Sequence, residues 1–376
     1  MSTRADRIEA ERLQRGSCGH MNSLRSKSLA ALCAGTLSVS LLAACSPADD
    51  TSSGGSGSSG VDVVALVDAD GKTPIEDIEG ELGDPTGSSD VRLCYITRTL
   101  SNEYWSFERD GFEQAAQEYG VEYQTYAVND EASITEQLDK AQSAMKSGCS
   151  AILASPISAT ALDSVFEDAI GKGIPVIILN DAASSVEGVV YVGPDATTIG
   201  ATAAEYIAEK LPDGGKVAMI EGDPGSSNAQ NRGNGFRETL KTDYPDIELV
   251  ASTTAKWDTA LAKDTAAGML TATDDLAAIY CQNDTMALGA MSAIQEKGKQ
   301  GKVILVGTDG IPQAKTEIAN DNGYTATVSE RPTTEGTSGV KVALWLLAGN
   351  EVPAFVDVPA FVVDKSNVND YLTGMP

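Results

Sequence analysis

The chain has 376 residues, more than one hydrophobic core ordinarily serves and enough for two domains. Its formal charge is −27, and because residues 1–44 hold six Lys/Arg against three Asp/Glu, the rest carries 21 basic and 51 acidic residues, or −30. A surface that acidic repels phosphate backbones and excludes a nucleic-acid-binding role, and the one histidine, His20, falls in a segment expected to be removed, which leaves no imidazole for Ser-His-Asp or Cys-His catalysis.

From Met21 the chain reads MNSLRSKSLAALCAGTLSVSLLAAC. Arg25 and Lys27 precede a short apolar run, Leu29 to Leu42, which ends in small residues; this is the layout of a signal peptide, with residues 1–44 as leader. Residues 1–20 are out of place before a signal, as if Met21 were the true start. Leu42-Ala43-Ala44-Cys45 resembles the bacterial lipobox, which implies lipidation of Cys45. Residues 46–60, SPADDTSSGGSGSSG, have no apolar content to pack and read as a flexible tether. Once Cys18 and Cys33 leave with the leader, Cys94, Cys149 and Cys281 remain, an odd number. All three adjoin apolar strand-like runs and read as buried free thiols; spacing alone neither requires nor forbids a Cys94–Cys149 bridge.

Residues 61–90 read as an amino-terminal extension packed on the body, in which VDVVALVDADGKTPIEDIEG is compatible with a strand and turn. Asp68, Asp70 and Glu79 stand at calcium-loop offsets 1, 3 and 12, but Lys72 and Thr73 occupy the offsets that need a ligand and a glycine, so no metal site is expected. From residue 91 the alternation is regular. Strands are predicted at 91–97, 121–127, 151–154, 174–179, 189–192, 216–221, 247–253, 277–281, 302–307 and 325–329. Helices are predicted at 105–119, 133–147, 159–172, 196–211, 229–243, 258–271, 284–297, 311–321 and 333–348. In the first helix Trp105, Phe112, Ala115, Ala116 and Tyr119 recur at three- and four-residue steps, with Glu108, Asp110, Glu113 and Glu118 on the other face. Strands such as VIIL and AILA are apolar without alternation, as in a parallel sheet covered on both faces. So many βα units exceed one doubly wound sheet, and two sheets fit better.

Ligands of open parallel sheets bind beyond the carboxyl ends of strands, and those positions are polar here. Arg98, Asn102, Tyr104 and Trp105 follow the strand at 91–97; Asn180 and Asp181 follow 174–179; Arg232 comes after 216–221; Trp257, Asn283, Asp309 and Glu330 follow the later strands. Planar amide, carboxylate and guanidinium groups suit hydroxyls, and aromatic faces suit the C–H face of a sugar ring. Asp258 and Asp284 read as caps or turn residues. Gly233-Asn-Gly235 falls inside a helix and is not a dinucleotide loop.

The motifs TLSNEYW, IPVIILND, VGPDATTIGATAAEYI, NAQNRGNGF, QNDTMALGAM and VGTDGIPQA, spread over residues 91–364, resemble the ribose/galactose type of periplasmic sugar-binding proteins, the soluble receptors of ABC importers. The resemblance implies an α/β fold of the type I periplasmic binding protein class: two Rossmann-like lobes with parallel sheets joined by a three-crossing hinge near 194–195, 330–331 and 358–359. The lobes would be 91–194 plus 331–358 and 195–330 plus 359–376. It implies that Asn102, Arg232, Asn283 and Asp309 face sugar hydroxyls, that Tyr104 and Trp105 pair against the ring, and that Trp257 faces them. Asn180-Asp181, Glu330 and Arg98 depart from the ribose pattern, so a hexose, pentose, cyclitol or other polyol is expected ahead of ribose, with a ligand carrying a positive charge as the alternative. Arg98 either touches the ligand or pairs with Glu330 or Asp181. The expected role is that of a monomeric, lipid-anchored solute-binding protein outside the cytoplasm that serves a membrane permease, without cofactor or metal. A sensor feeding a chemotaxis or quorum-type signal is the alternative. An enzyme using Asp181 and Glu330 lacks a nucleophile elbow, metal cluster or histidine.

Overall fold

The computed structural model describes residues 62–181 and 184–375, all within one compact unit; the leader, Cys45 and the tether lie outside the described residues. The chain opens with β1 (Val67–Pro74) and α1 (Ile75–Leu82). It continues through β2 (Arg92–Ile96), α2 (Glu103–Glu118), β3 (Glu122–Tyr126), α3 (Ile134–Lys146), β4 (Ala151–Ala154), α4 (Asp163–Gly171), β5 (Val176–Leu179) and β6 (Val189–Gly193). Next come α5 (Ala196–Lys210), β7 (Gly215–Glu221), α6 (Ser227–Asp243), β8 (Ile247–Thr254), α7 (Thr259–Ala272), β9 (Leu276–Cys281), α8 (Asp284–Glu296), β10 (Ile304–Asp309), α9 (Pro312–Ala319) and β11 (Ala326–Ser329). The chain ends with α10 (Pro332–Leu347), β12 (Val352–Asp357) and β13 (Phe361–Asp364).

Two sheets form, in the orders β1-β12-β6-β5-β4-β2-β3 and β13-β11-β10-β9-β7-β8. Every described pairing is parallel except that of β13 with β11. The chain leaves the first sheet after β6, returns after β11 and leaves again after β12, so three strands of chain join the lobes. Strand alternation builds a core on each face. In the first lobe Leu93, Tyr95, Leu153 and Leu179 point toward α2 and α10, whereas Cys94, Ile96, Ile152 and Ile178 point toward α3 and α4. The second lobe repeats this, with Ile220, Ile279 and Leu305 on one face and Met219, Tyr280 and Val306 on the other. This two-sided covering is why the strands read as unbroken apolar runs. Helices α2 and α10 meet backbone to backbone, since a Cβ on Gly111 would strike the Thr333 carbonyl and one on Gly336 that of Glu108.

The segment before residue 91 contributes an edge strand, β1, paired with β12. The structure corrects other expectations. β12 and β13 were not predicted. Pro353 argues against a strand, but it falls where β12 is bordered by β1 alone, because its pairing with β6 starts at Phe355. Cys94 and Cys149 are disulfide-bonded, not free thiols, with a Cα separation of 5.8 Å. The register that sets Leu93 against Ala151 brings Cys149, just before β4, beside β2. Cys281 is the free, buried thiol among the described cysteines, and burial pushes it well above the ordinary thiol range.

Candidate functional site

A cleft lined by residues of both lobes lies at the carboxyl ends of their strands, where ligands of open parallel sheets bind. From the first lobe, Arg98, Asn102, Tyr104, Trp105 and Asn180 line it, and from the second, Arg232, Trp257, Asn283 and Asp309. Asp181 and Glu330 are not lining residues; each stands behind a guanidinium. Glu131, Ser226 and Asn228 complete the wall.

Local structure explains the placement. Asn102 is the N-cap of α2, its Oδ1 accepting from the Tyr104 amide at 3.1 Å, and Asn283 is the N-cap of α8, accepting from the Met286 amide at 2.9 Å. A strand end that turns into a helix needs such a cap, so capping and lining fall to the same side chains. Asp258 caps α7 through the Leu261 amide at 2.7 Å. Asp284 is no cap. It is buried and accepts from the Gly310 and Ile311 amides at 2.8 and 2.9 Å, from Tyr324 Oη at 2.6 Å and from Thr327 Oγ1 at 2.8 Å, tying α8 to the β10–α9 turn. Burial raises its carboxyl to about 6.

Three lining residues have left-handed backbone: Asn180 (φ 62°), Trp257 (φ 65°) and Asp309 (φ 117°). Non-glycine residues there cost roughly 1–3 kcal/mol, and such strain gathers where side chains must be aimed. Trp257 also lies flat against Gly222, where any Cβ would collide with the indole.

Two guanidiniums organise the electrostatics. Arg98 donates to Asp181 Oδ2 at 2.5 Å and to the Pro156 carbonyl, and lies over the Trp105 ring at 4.7 Å. Arg232 donates to the Gln282 carbonyl at 2.7 Å and to Glu330 Oε1, with Asp309 Oδ1 at 3.8 Å. Asn180 Nδ2 donates to Glu330 Oε2 and to Tyr104 Oη, both at 2.5 Å, and Tyr104 Oη donates to Glu335 Oε1 at 2.9 Å. Burial, reinforced by Asp284 and Glu330, holds Asp309 well above the usual carboxylate range despite Arg232. Burial also raises Glu335, next to Glu108 and Glu330, and lifts Glu108 to about 7.

The lobes touch across the cleft. Asp181, on the first lobe, accepts from Ser226 Oγ at 2.7 Å, from Ser227 Oγ and from the Asn228 amide at 3.1 Å, all at the start of α6 in the second lobe. A negative charge there also meets the favourable end of the helix dipole. Asn228 Nδ2 donates to Asn180 Oδ1 at 2.7 Å. This is the closed arrangement of the two lobes, with Asp181 as a latch.

Glu131, Ser226 and Asn228 were missed from sequence. Glu131 follows β3 as the predicted residues follow their strands, so the strand-end rule reaches it. Ser226 and Asn228 look like ordinary helix-start residues until the other lobe arrives.

Two α/β lobes closed on a polar cleft, with hinge chain passing three times between them, define a bilobal solute-binding protein. The chain belongs to the periplasmic binding protein family, whose domain profile it matches across residues 93–351, in agreement with the resemblance carried by its motifs. It is 35% identical over 262 residues to the D-allose-binding periplasmic protein of Escherichia coli K12, covering 67% of this chain and 83% of that one. It is 31% identical over 273 residues to the ribose import binding protein of the same organism, covering 73% and 90%. Its fold is similar to that of an ABC transporter periplasmic solute binding protein from Actinobacillus succinogenes 130z solved with bound D-allose. The TM-score is 0.70 at 29% identity, over 75% of this chain and all of the other.

Proposed function

We propose that this protein captures a neutral sugar or polyol outside the cytoplasm and hands it to the permease of an ABC importer, catalysing no reaction, as a monomer tethered through a lipid on Cys45. The observation that carries the reading is the cleft's hydrogen-bond inventory. Arg98 Nε, Arg232 Nε and Glu131 Oε2 are buried without hydrogen-bond partners, while both guanidiniums are already paired with Asp181 and Glu330. Donors and acceptors without surplus positive charge match hydroxyls, each of which both donates and accepts. Trp105 and Trp257, from opposite lobes, supply the apolar faces. The named ligands of the relatives, D-allose and ribose, belong to this class.

Capture follows from the geometry. An open cleft offers one lobe's groups first, and closure adds the other's, so the ligand shifts the population toward the closed form by its extra affinity for it. Calorimetry on the purified full chain against pentoses, hexoses, linear polyols and cyclitols should find single-site binding at about micromolar Kd or tighter, equivalent to roughly 8 kcal/mol or more. Silence across the panel would sink the reading.

The latch has its own consequence. Asp181→Asn withdraws the charge that Ser226, Ser227 and Arg98 share. The closed form should lose about 1.5–3 kcal/mol, and affinity for the best panel member should fall roughly 10- to 100-fold. Small-angle scattering at one sub-saturating ligand concentration should show a larger radius of gyration for the variant than for wild type; identical profiles and affinities would remove the latch from the mechanism.

A further inference from the structure

Among the described residues, three cleft-lining side chains have a buried atom without a hydrogen-bond partner; the two guanidiniums only donate, and Glu131 is the acceptor. We propose that Glu131, on the loop between β3 and α3, is a specificity-determining residue whose Oε2 accepts a hydrogen bond from one ligand hydroxyl. The inference rests on polyol capture as read above. The other oxygen is committed: Oε1 accepts from Trp105 Nε1 at 2.9 Å and from Asn102 Nδ2 at 3.4 Å. An indole N–H can only donate, so this bond fixes which oxygen is left over. Oε2 lies 3.9 Å from the Arg98 guanidinium, beyond hydrogen-bond reach.

The consequence is a cleft with one carboxylate on each wall, Glu131 in the first lobe and Asp309 in the second. The cations beside them are taken up by Asp181 and Glu330. A ligand that reaches the first wall must present a hydroxyl hydrogen to Glu131 Oε2. A sugar phosphate or sugar acid brings a second anion against Glu131, while the described guanidiniums are already paired with Asp181 and Glu330, and should bind more weakly than a neutral polyol. A deoxy analogue that cannot donate to Oε2 leaves a buried carboxylate oxygen unsatisfied, the situation in which polar sites discriminate most strongly.

Glu131→Gln separates this role from the positioning of Trp105. The amide oxygen still accepts from the indole, so the NH₂ group replaces Oε2 and cannot accept. Wild type and Glu131→Gln are titrated calorimetrically with the tightest member of the sugar, polyol and cyclitol panel and with each of its monodeoxy forms. The variant should bind the parent compound roughly 10- to 100-fold more weakly than wild type. Wild type should lose a similar factor on one monodeoxy form, which the two proteins should bind within about twofold of each other. Tryptophan fluorescence of the free proteins should coincide. Affinities for the parent within about threefold overturn the proposal, as does an equal loss for the parent and every monodeoxy form, because Glu131 would then act only through Trp105. Panel members that fail to bind wild type at all overturn the capture reading and this inference with it; binding to wild type that is indifferent to Glu131 overturns this inference alone.

Discussion

Arg232→Ala should lose measurable binding of any panel compound that wild type takes up, while keeping the wild-type far-UV spectrum. Arg232 is nearly buried, and its three interactions join separate parts of the molecule: the Gln282 carbonyl at the β9–α8 turn, Glu330 at the second hinge crossing, and Asp309 across from it. Removing one partner of a buried charge network costs about 3–5 kcal/mol, because the remaining carboxylates are left without compensation. Glu330 and Asp309 are those carboxylates, and Asp309 is already strained in backbone and raised in pKa. Part of the loss falls on folding and part on binding, so melting and calorimetry belong together. Arg232→Lys restores the charge without the fork and should recover stability more than affinity, since the unpartnered Nε has no counterpart in lysine. Affinity for the wild-type ligand retained within about tenfold, or 1.4 kcal/mol, would show that Arg232 is scaffolding only.

Breaking the Cys94–Cys149 bridge should cost the first lobe heavily. The cross-link spans a sequence separation of 55, for which chain entropy gives about 4 kcal/mol. It joins β2 to the start of β4, neighbouring strands of the sheet, and Arg98 and Asn102 follow β2. The double variant Cys94→Ser/Cys149→Ser should melt roughly 8–16 °C below wild type at 2–4 °C per kcal/mol. A reductant should lower the wild-type midpoint similarly and leave the variant unmoved. If reduction, verified by alkylation of both thiols, leaves the wild-type midpoint unchanged, the bridge does not support the lobe. Cys281, walled in by burial, should not react until unfolding.

Most of the architecture was legible because its signals are local. Apolar runs, helical periodicity and glycine at helix ends located ten strands and nine helices that the structure contains, with boundaries shifted by a few residues, as at α4 and α6. β12 was not legible, because whether Pro353 harms a strand depends on which neighbour it faces. The disulfide escaped for a similar reason: pairing of Cys94 with Cys149 depends on the β2–β4 register, which spacing does not encode. Asp284 looked like a cap, and only the approach of the β10–α9 turn reveals a carboxylate with four donors around it.

The sequence by itself determined two α/β lobes, the family, and a set of polar and aromatic side chains at strand ends, because strand direction alone sends those residues to the same edge of each sheet. Only the tertiary structure decided what each of them does. Arg98 and Arg232 are neutralised from behind, Asp181 closes on the opposite lobe, and Glu131 joins the wall with an oxygen to spare. Those roles depend on distances of a few ångströms between segments far apart in the chain. The pattern of residues along one strand or helix carries no record of them.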